Sequence, residues 1–140
     1  MDENNPALIA ARHSWACVMA SDKEGWLALM ADDICIEDPI GEAPTNPTGT
    51  GVRGKEAVAA FFDANIAPNT LEMRPQESFA AGDESGHLIE LTTTFPDGGS
   101  ATVRGVFTYR VNDDGLLTNL RGYWALEDMV FTAPPVSGGS

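Results

Sequence analysis

The stretch SDKEGWLALMADDICIEDP, residues 21–39, changes its hydrophobic period part-way along. Ser21-x-x-Glu24 has the form of a capping box opening a helix, and Trp26, Leu27 and Met30 continue at helical spacing. From Ile34 the period drops to two. Ile34, Ile36 and Asp38 then share one strand face, and Pro39, with no N–H to give a ladder, ends the strand. A helix that runs into a strand whose last inward residue is acidic sets both the architecture and the first candidate for chemistry.

Upstream, Asn5 can cap a first helix with Pro6 in its first turn, and Leu8, Ala11, Trp15 and Val18 form its buried stripe. The chain thus opens as a helical hairpin. Downstream, residues 39–53 are rich in Gly, Pro and Thr and read as a long loop. A third helix is expected over 55–66, with Val58, Phe61 and Phe62 on its packing side. Strands follow at 70–80, 87–95, 101–112 and 115–126, the last three joined by Pro96-Asp97-Gly98-Gly99 and Asn112-Asp113-Asp114-Gly115 as antiparallel hairpins. Helices first and strands later give an α+β class, with three N-terminal helices packed on a curved antiparallel or mixed sheet. The length of 140 residues suits one domain, expected over 1–132, with 133–140 a flexible tail.

The last two strands alternate cleanly. Val103, Gly105, Phe107, Tyr109 and Val111 make one face, against Arg104, Thr108 and Arg110; Leu116, Leu120, Gly122, Trp124 and Leu126 make the matching face, against Asn119, Arg121 and Tyr123. The apolar set should meet the helices. Gly105 and Gly122 either leave room there for a hollow core or mark a bulge. Glu37 and Glu90 fall on outward parities.

Composition removes several functions. A formal net charge of −13 with eight Lys and Arg argues against nucleic acid and against an anionic membrane surface. No apolar run reaches the length of a membrane span, and the acidic start MDENNPALIA lacks a signal pattern. Cys17 and Cys35 show no metal spacing and read as free thiols of a reducing compartment, which points to the cytoplasm. His13 sits beside Arg12 on an exposed turn, while His87 shares the parity of Ile89 and Leu91 and could reach a pocket rim. Neither has a second ligand at a metal spacing, and no phosphate loop, serine elbow or Cys–His pair is present, so no metal or cofactor is expected.

Asp38 is the principal candidate residue. Placed in an apolar interior, its carboxylate would be desolvated and become a base near neutral pH; as an Asp-Pro turn, it would instead cap local N–H groups. Tyr109 and the Trp124 indole lie on the inner faces as donors, or as core aromatics with one satisfied tip.

Gly25-Trp26-Leu27-Ala28-Leu29-Met30-Ala31-Asp32-Asp33, continuing through Ile36-Glu37-Asp38-Pro39-Ile40-Gly41, resembles the helix–strand signature of bacterial steroid Δ5-isomerases, and Arg121-Gly122-Tyr123-Trp124 resembles their final strand. The resemblance spans most of residues 8–126, is nearest the actinobacterial ketosteroid-isomerase-like branch, and implies the cone-shaped NTF2-like fold around one pocket, an architecture that also includes SnoaL-like cyclases. It implies further that Asp38 is the proton-shuttling base. The family's two oxyanion-binding acids, a helical tyrosine and a strand aspartate, fall on Ser14 and Phe107, and a supporting tyrosine falls on Phe62. Ser14 offers a hydroxyl there, or bonds its own helix backbone.

The implied ligand is a small apolar molecule such as a steroid, held by Trp15, Val18, Phe61, Phe107, Tyr109, Leu120 and Trp124. Three functions follow: a weak steroid Δ-isomerase, a non-catalytic binder of steroids or polycyclic lipids, and cyclase or epoxide-hydrolase chemistry. The last expects paired carboxylates flanking an arginine, and no second carboxylate lies on an inner parity. The resemblance also implies a homodimer through the outer sheet face near Arg104, Arg110, Asn119, Arg121 and Tyr123.

Overall fold

The computed structural model describes residues 2–135; most of the expected tail, residues 136–140, lies outside the described residues. Asn5 caps helix α1 (Pro6–Met19), its side-chain oxygen accepting from the N–H groups of Ala7 and Leu8. The stripe of Leu8, Ala11, Trp15 and Val18 is buried along its length. Helix α2 (Lys23–Ala28) starts one residue later than the capping-box reading requires. Ser21 is taken up by the exit from α1, with a left-handed φ of 54° and its N–H donating to Val18 O. The cap is therefore Asp22, whose carboxylate accepts from Gly25 N at 2.9 Å. Met30 was expected in this helix and instead opens strand β1 (Met30–Glu37).

The loop after β1 ends in a short strand, β2 (Val52–Arg53), and leads into α3 (Lys55–Asn65), which buries Val58 and Phe62. Full burial of a side chain such as Phe62 is worth about 1.5–3 kcal/mol. Asn46 fixes the loop from within: it is fully buried, its amide donates to Pro39 O and its carbonyl accepts from Gly51 N, each at 3.0 Å.

The second half is strands β3 (Thr70–Ala81), β4 (Glu84–Thr94), β5 (Ser100–Val111) and β6 (Leu117–Tyr123), then a 3₁₀ turn and strand β7 (Val130–Thr132), which the sequence pattern did not announce. One sheet runs β2-β1-β6-β5-β4-β3, with β7 beside β5. All pairs are antiparallel except β1 with β6, so the sheet is mixed. Helices α1 and α3 pack against its concave side.

The alternation expected in β5 holds: Val103, Gly105, Phe107, Tyr109 and Val111 are buried. In β6 it shifts. Val111 pairs with Leu117 but Arg110 pairs with Asn119, so one residue is inserted and the parity flips. Leu117 is fully buried in place of Leu116. Trp124 and Leu126 lie beyond the strand's end and not within it.

The glycines are neither empty space nor bulges. A Cβ on Gly105 would stand 2.8 Å from Tyr123 O, and one on Gly122 would stand 2.8 Å from both Asp38 Oδ1 and Trp124 Nε1. Gly122 is therefore bare because two side chains meet over it.

Candidate active site

Three strand segments converge around Gly122. The parallel register sets Glu37 beside Arg121, so Asp38 follows next to Gly122, whose carbonyl accepts from Ile40 N at 3.0 Å. The antiparallel register sets Phe107 opposite Gly122. Beyond β6 the chain carries Trp124 back over Gly122, where its indole N–H donates to Asp38 Oδ1 at 2.7 Å.

These segments and the helices enclose a cavity of about 300 Å³, at the lower end of the volumes that hold small ligands. Ser14 and Val18 reach it from α1, Phe61 from α3 and Asp38 from the end of β1. Phe107, Tyr109, Leu120 and Trp124 reach it from β5, β6 and the segment beyond. Trp15 does not line it. Its ring stands behind the wall and its N–H donates to Tyr109 Oη at 2.8 Å. Residues that sequence reasoning passed over complete the lining, among them Trp26, Met73, Leu91 and Phe131. Leu91 shares the inward parity of Ile89, a signal the pattern carried. Trp26 looked like core, and Phe131 belongs to the unforeseen β7.

The walls are overwhelmingly apolar, and Asp38 is the sole carboxylate among the described lining residues. Burial raises its pKa to about 6, and the Trp124 hydrogen bond opposes that rise in part. Oδ1 carries that bond, while Oδ2 has no hydrogen-bond partner among the described residues. Asp38 is thus a base with one oxygen held and one open, near neutrality.

Ser14 is buried, and its Oγ accepts from Trp26 Nε1 at 2.9 Å; no bond to its own helix backbone forms. Tyr109 is fully buried, and burial pushes its phenol well above the ordinary range; the Trp15 bond opposes this, and the charge of Asp38 adds to it. Phe107 contributes a hydrocarbon ring to the lining and offers no hydrogen-bond donor there.

His87 does not reach the rim. It is buried beside Trp15, whose ring meets it edge-on with centroids 4.8 Å apart. The hydrogens assign its form. Ser85 Oγ donates to Ala7 O at 3.1 Å, so it must accept from His87 Nε2–H at 2.8 Å, and Nδ1 accepts from Ser78 Oγ at 2.7 Å. Burial first, and the charge of Arg12 second, lower its pKa to about 4, so it is a neutral support for Trp15. On the outer face Glu37 pairs with Arg121 at 3.1 Å and Glu90 with Arg74 at 2.6 Å. Among the described residues no group of three or more His, Cys, Asp or Glu side chains could share a metal ion.

The fold and site define a class: a small α+β cone whose sheet and helices enclose an apolar cavity with a single carboxylate in its wall. The SnoaL-like domain family matches residues 11–120, most of the chain, and the protein belongs to that family. Among solved structures, the Δ5-3-ketosteroid isomerase from Mycobacterium sp. is 59% identical with a TM-score of 0.90, covering 91% of this chain and 99% of its own. RV0760c from Mycobacterium tuberculosis, in complex with estradiol-17beta-hemisuccinate, is 57% identical with a TM-score of 0.89, covering 91% of this chain and all 100% of its own. A curated relative, epoxide hydrolase LasB of Streptomyces lasalocidi, is 29% identical over 123 residues, 84% of this chain but 41% of its own. The chain therefore spans about two fifths of that relative's length. The actinobacterial, ketosteroid-isomerase-like resemblance read from the Asp32–Asp38 signature agrees with these neighbours.

Proposed function

We propose that the protein is a slow steroid Δ-isomerase that shifts a C=C bond of a 3-ketosteroid by proton transfer through Asp38. One observation carries this reading: a lone carboxylate, with its pKa raised to about 6 and one oxygen open, stands in the wall of an apolar cavity. Similarity to a ketosteroid isomerase and to a protein solved with an estradiol derivative supports a steroid as the occupant.

The chemistry balances without a cofactor. Asp38 Oδ2 takes a proton from the carbon between the ketone and the alkene. The electron pair of that C–H bond moves into the conjugated system and gives a dienolate. The same proton returns to the far alkene carbon, leaving the conjugated enone and a regenerated carboxylate. A positioned general base is worth roughly 10²–10⁴ in rate. The family's acidic donors are replaced by Ser14 and Phe107, and each lost donor typically costs on the order of 10²–10³.

Phe107 also supports a second reading, a steroid or polycyclic-lipid binder without catalysis. Epoxide hydrolysis has less support, because the described lining holds neither a second carboxylate nor an arginine. The deciding assay follows enone absorbance with wild type, Asp38→Asn and Phe107→Asp. Isomerisation is expected in wild type, lost in Asp38→Asn and raised in Phe107→Asp. Equal inertness of wild type and Asp38→Asn, with steroid binding intact, leaves the binder.

The finer assignments go with this proposal. Free Cys17 and Cys35 suit a reducing cytoplasm, and no described helix is long and apolar enough to cross a membrane. The outer sheet face, with exposed Val106 and Tyr123 among Arg104, Arg110, Asn119 and Arg121, suits a homodimer. Residues 1–132 are taken as one domain.

A further inference from the structure

The chain has three tryptophans, and each gives its indole N–H to an oxygen of the cavity wall. Trp124 donates to Asp38 Oδ1 at 2.7 Å, Trp26 to Ser14 Oγ at 2.9 Å and Trp15 to Tyr109 Oη at 2.8 Å. The consequence differs between carboxylate and hydroxyl. A carboxylate only accepts, so Asp38 keeps an open lone pair. A hydroxyl has one hydrogen and two lone pairs, so an oxygen that accepts from an indole must send its own hydrogen elsewhere. Neither the Ser14 nor the Tyr109 hydroxyl hydrogen has an acceptor among the described residues, and both side chains face the cavity.

We propose that the hydroxyls of Ser14 and Tyr109, turned inward by the indoles of Trp26 and Trp15, form a two-donor seat for a ligand's ketone or enolate oxygen in the cavity that holds Asp38. This deepens the proton-transfer reading and rests on it for the identity of the ligand. The ligand class is a flat apolar molecule with one oxygen that accepts hydrogen bonds.

The indoles are themselves fixed. Trp26 stacks on Phe61 and tilts against Phe62, with centroids 6.4 and 5.5 Å away. Trp15 is held edge-on by His87, which Ser78 and Ser85 clamp at both ring nitrogens. Donors fixed before the ligand arrives do not have to reorganise when charge develops. Accepting an N–H also polarises a hydroxyl and strengthens its outgoing bond. The seat supplies neutral donors where an acidic pair is lacking. Tyr109 is a residue the sequence offers either as a donor or as a core aromatic, and Trp15 and Trp26 are positioning residues, since they act through the hydroxyls.

The test uses 2-acetylnaphthalene, whose ketone accepts but cannot donate and so gains nothing from ionised Asp38, beside 2-ethylnaphthalene, which lacks the oxygen. Tyr109→Phe and Ser14→Ala should each weaken ketone binding roughly 3–10-fold, the range of one lost neutral hydrogen bond. Hydrocarbon binding should stay within about twofold of wild type, which also reports that each variant is folded. Trp15→Phe and Trp26→Phe should lower ketone affinity roughly 2–3-fold and move the carbonyl stretch of the bound ketone to higher frequency, through weaker donation. Equal losses for ketone and hydrocarbon, or an unmoved carbonyl stretch in Tyr109→Phe and Ser14→Ala, overturn the seat. Failure of the isomerase reading is separately visible: the seat survives if the ketone preference depends on Tyr109 and Ser14 while no variant, nor wild type, forms enone.

Discussion

Asp38→Asn should stabilise the protein at neutral pH, and the gain should vanish in acid. The carboxyl has a pKa of about 6 in the fold against an ordinary 3.8. That difference of about two units corresponds to roughly 3 kcal/mol. The folded state binds the proton more tightly than the unfolded chain, so between pH 3.8 and 6 it holds more protons and stability falls as pH rises. The cost is absent below about pH 4 and complete above about pH 6. Asparagine is neutral at every pH and keeps an oxygen for the Trp124 N–H. Relaxation around the site reduces the gain to about 1–3 kcal/mol at pH 8, or roughly 4–10 °C in melting temperature for a chain of this size.

His87 shapes the pH profile of each protein taken alone, although it cancels in the difference between them. Its pKa is lowered to about 4 from 6.5, so it contributes stability above pH 6.5 that is lost as pH falls towards 4. Its slope in that window opposes the slope of Asp38 and is of similar size, roughly 3 kcal/mol across the window. In wild type the two partly cancel. In Asp38→Asn the His87 loss stands alone, so the variant should be more stable than wild type at pH 8 and more acid-sensitive between pH 6.5 and 4. Denaturant melts of both proteins at four or five pH values supply the difference, in which groups common to both drop out. A difference that is flat from pH 4 to 8 would mean that Asp38 has an ordinary carboxyl, and the case for it as a neutral-pH base would fall with it.

Gly122→Ala would put a methyl 2.8 Å from both Asp38 Oδ1 and Trp124 Nε1, so it should cost about 1–3 kcal/mol and separate the pair. Because the Trp124 bond holds the Asp38 pKa down, its loss should raise that pKa further, seen as an alkaline shift in the acid limb of any isomerase activity; an unshifted limb counts against the pairing. Sedimentation at micromolar concentration should show a homodimer, with Tyr123→Glu on the outer face driving it towards monomer; a monomeric wild type refutes the outer-face interface.

Much of the fold was legible because local rules decide it. Asn5 and Pro6 start α1, and the period change at Ile34 starts the strand that carries Asp38. The misses have a common cause, which is that tertiary partners set them. Nothing near Leu116 says that a residue inserted opposite β5 will turn Leu117 inward instead. Ser21 fits a capping box, yet the tightness of the hairpin hands the cap to Asp22. Asn46 lies in a polar loop and is fully buried only because Pro39 and Gly51 converge on it. In the site, Asp38 was readable from parity and Tyr109 from alternation. The direction of the hydroxyl hydrogens was not, since it depends on indoles that arrive from 94 residues away for Trp15 with Tyr109 and 12 for Trp26 with Ser14.

The balance between enzyme and binder can be argued from what each would want in this cavity. A wall that only held an apolar ligand would be better served by asparagine or leucine than by Asp38, since an ionised carboxylate there weakens the fold by up to about 3 kcal/mol and loses further hydration when an apolar ligand covers it. The same carboxylate, half charged near pH 6, is what proton transfer requires. Phe107 weighs the other way, because hydrocarbon cannot stabilise an enolate. The two hydroxyls reduce that objection without removing it: each is a neutral donor, weaker than a carboxylic acid but fixed in advance. Proton abstraction is therefore well provided for and charge stabilisation only moderately so. The chemistry consistent with both is isomerisation whose rate is limited by formation of the dienolate, and a kinetic isotope effect on the transferred hydrogen should accompany whatever turnover is found.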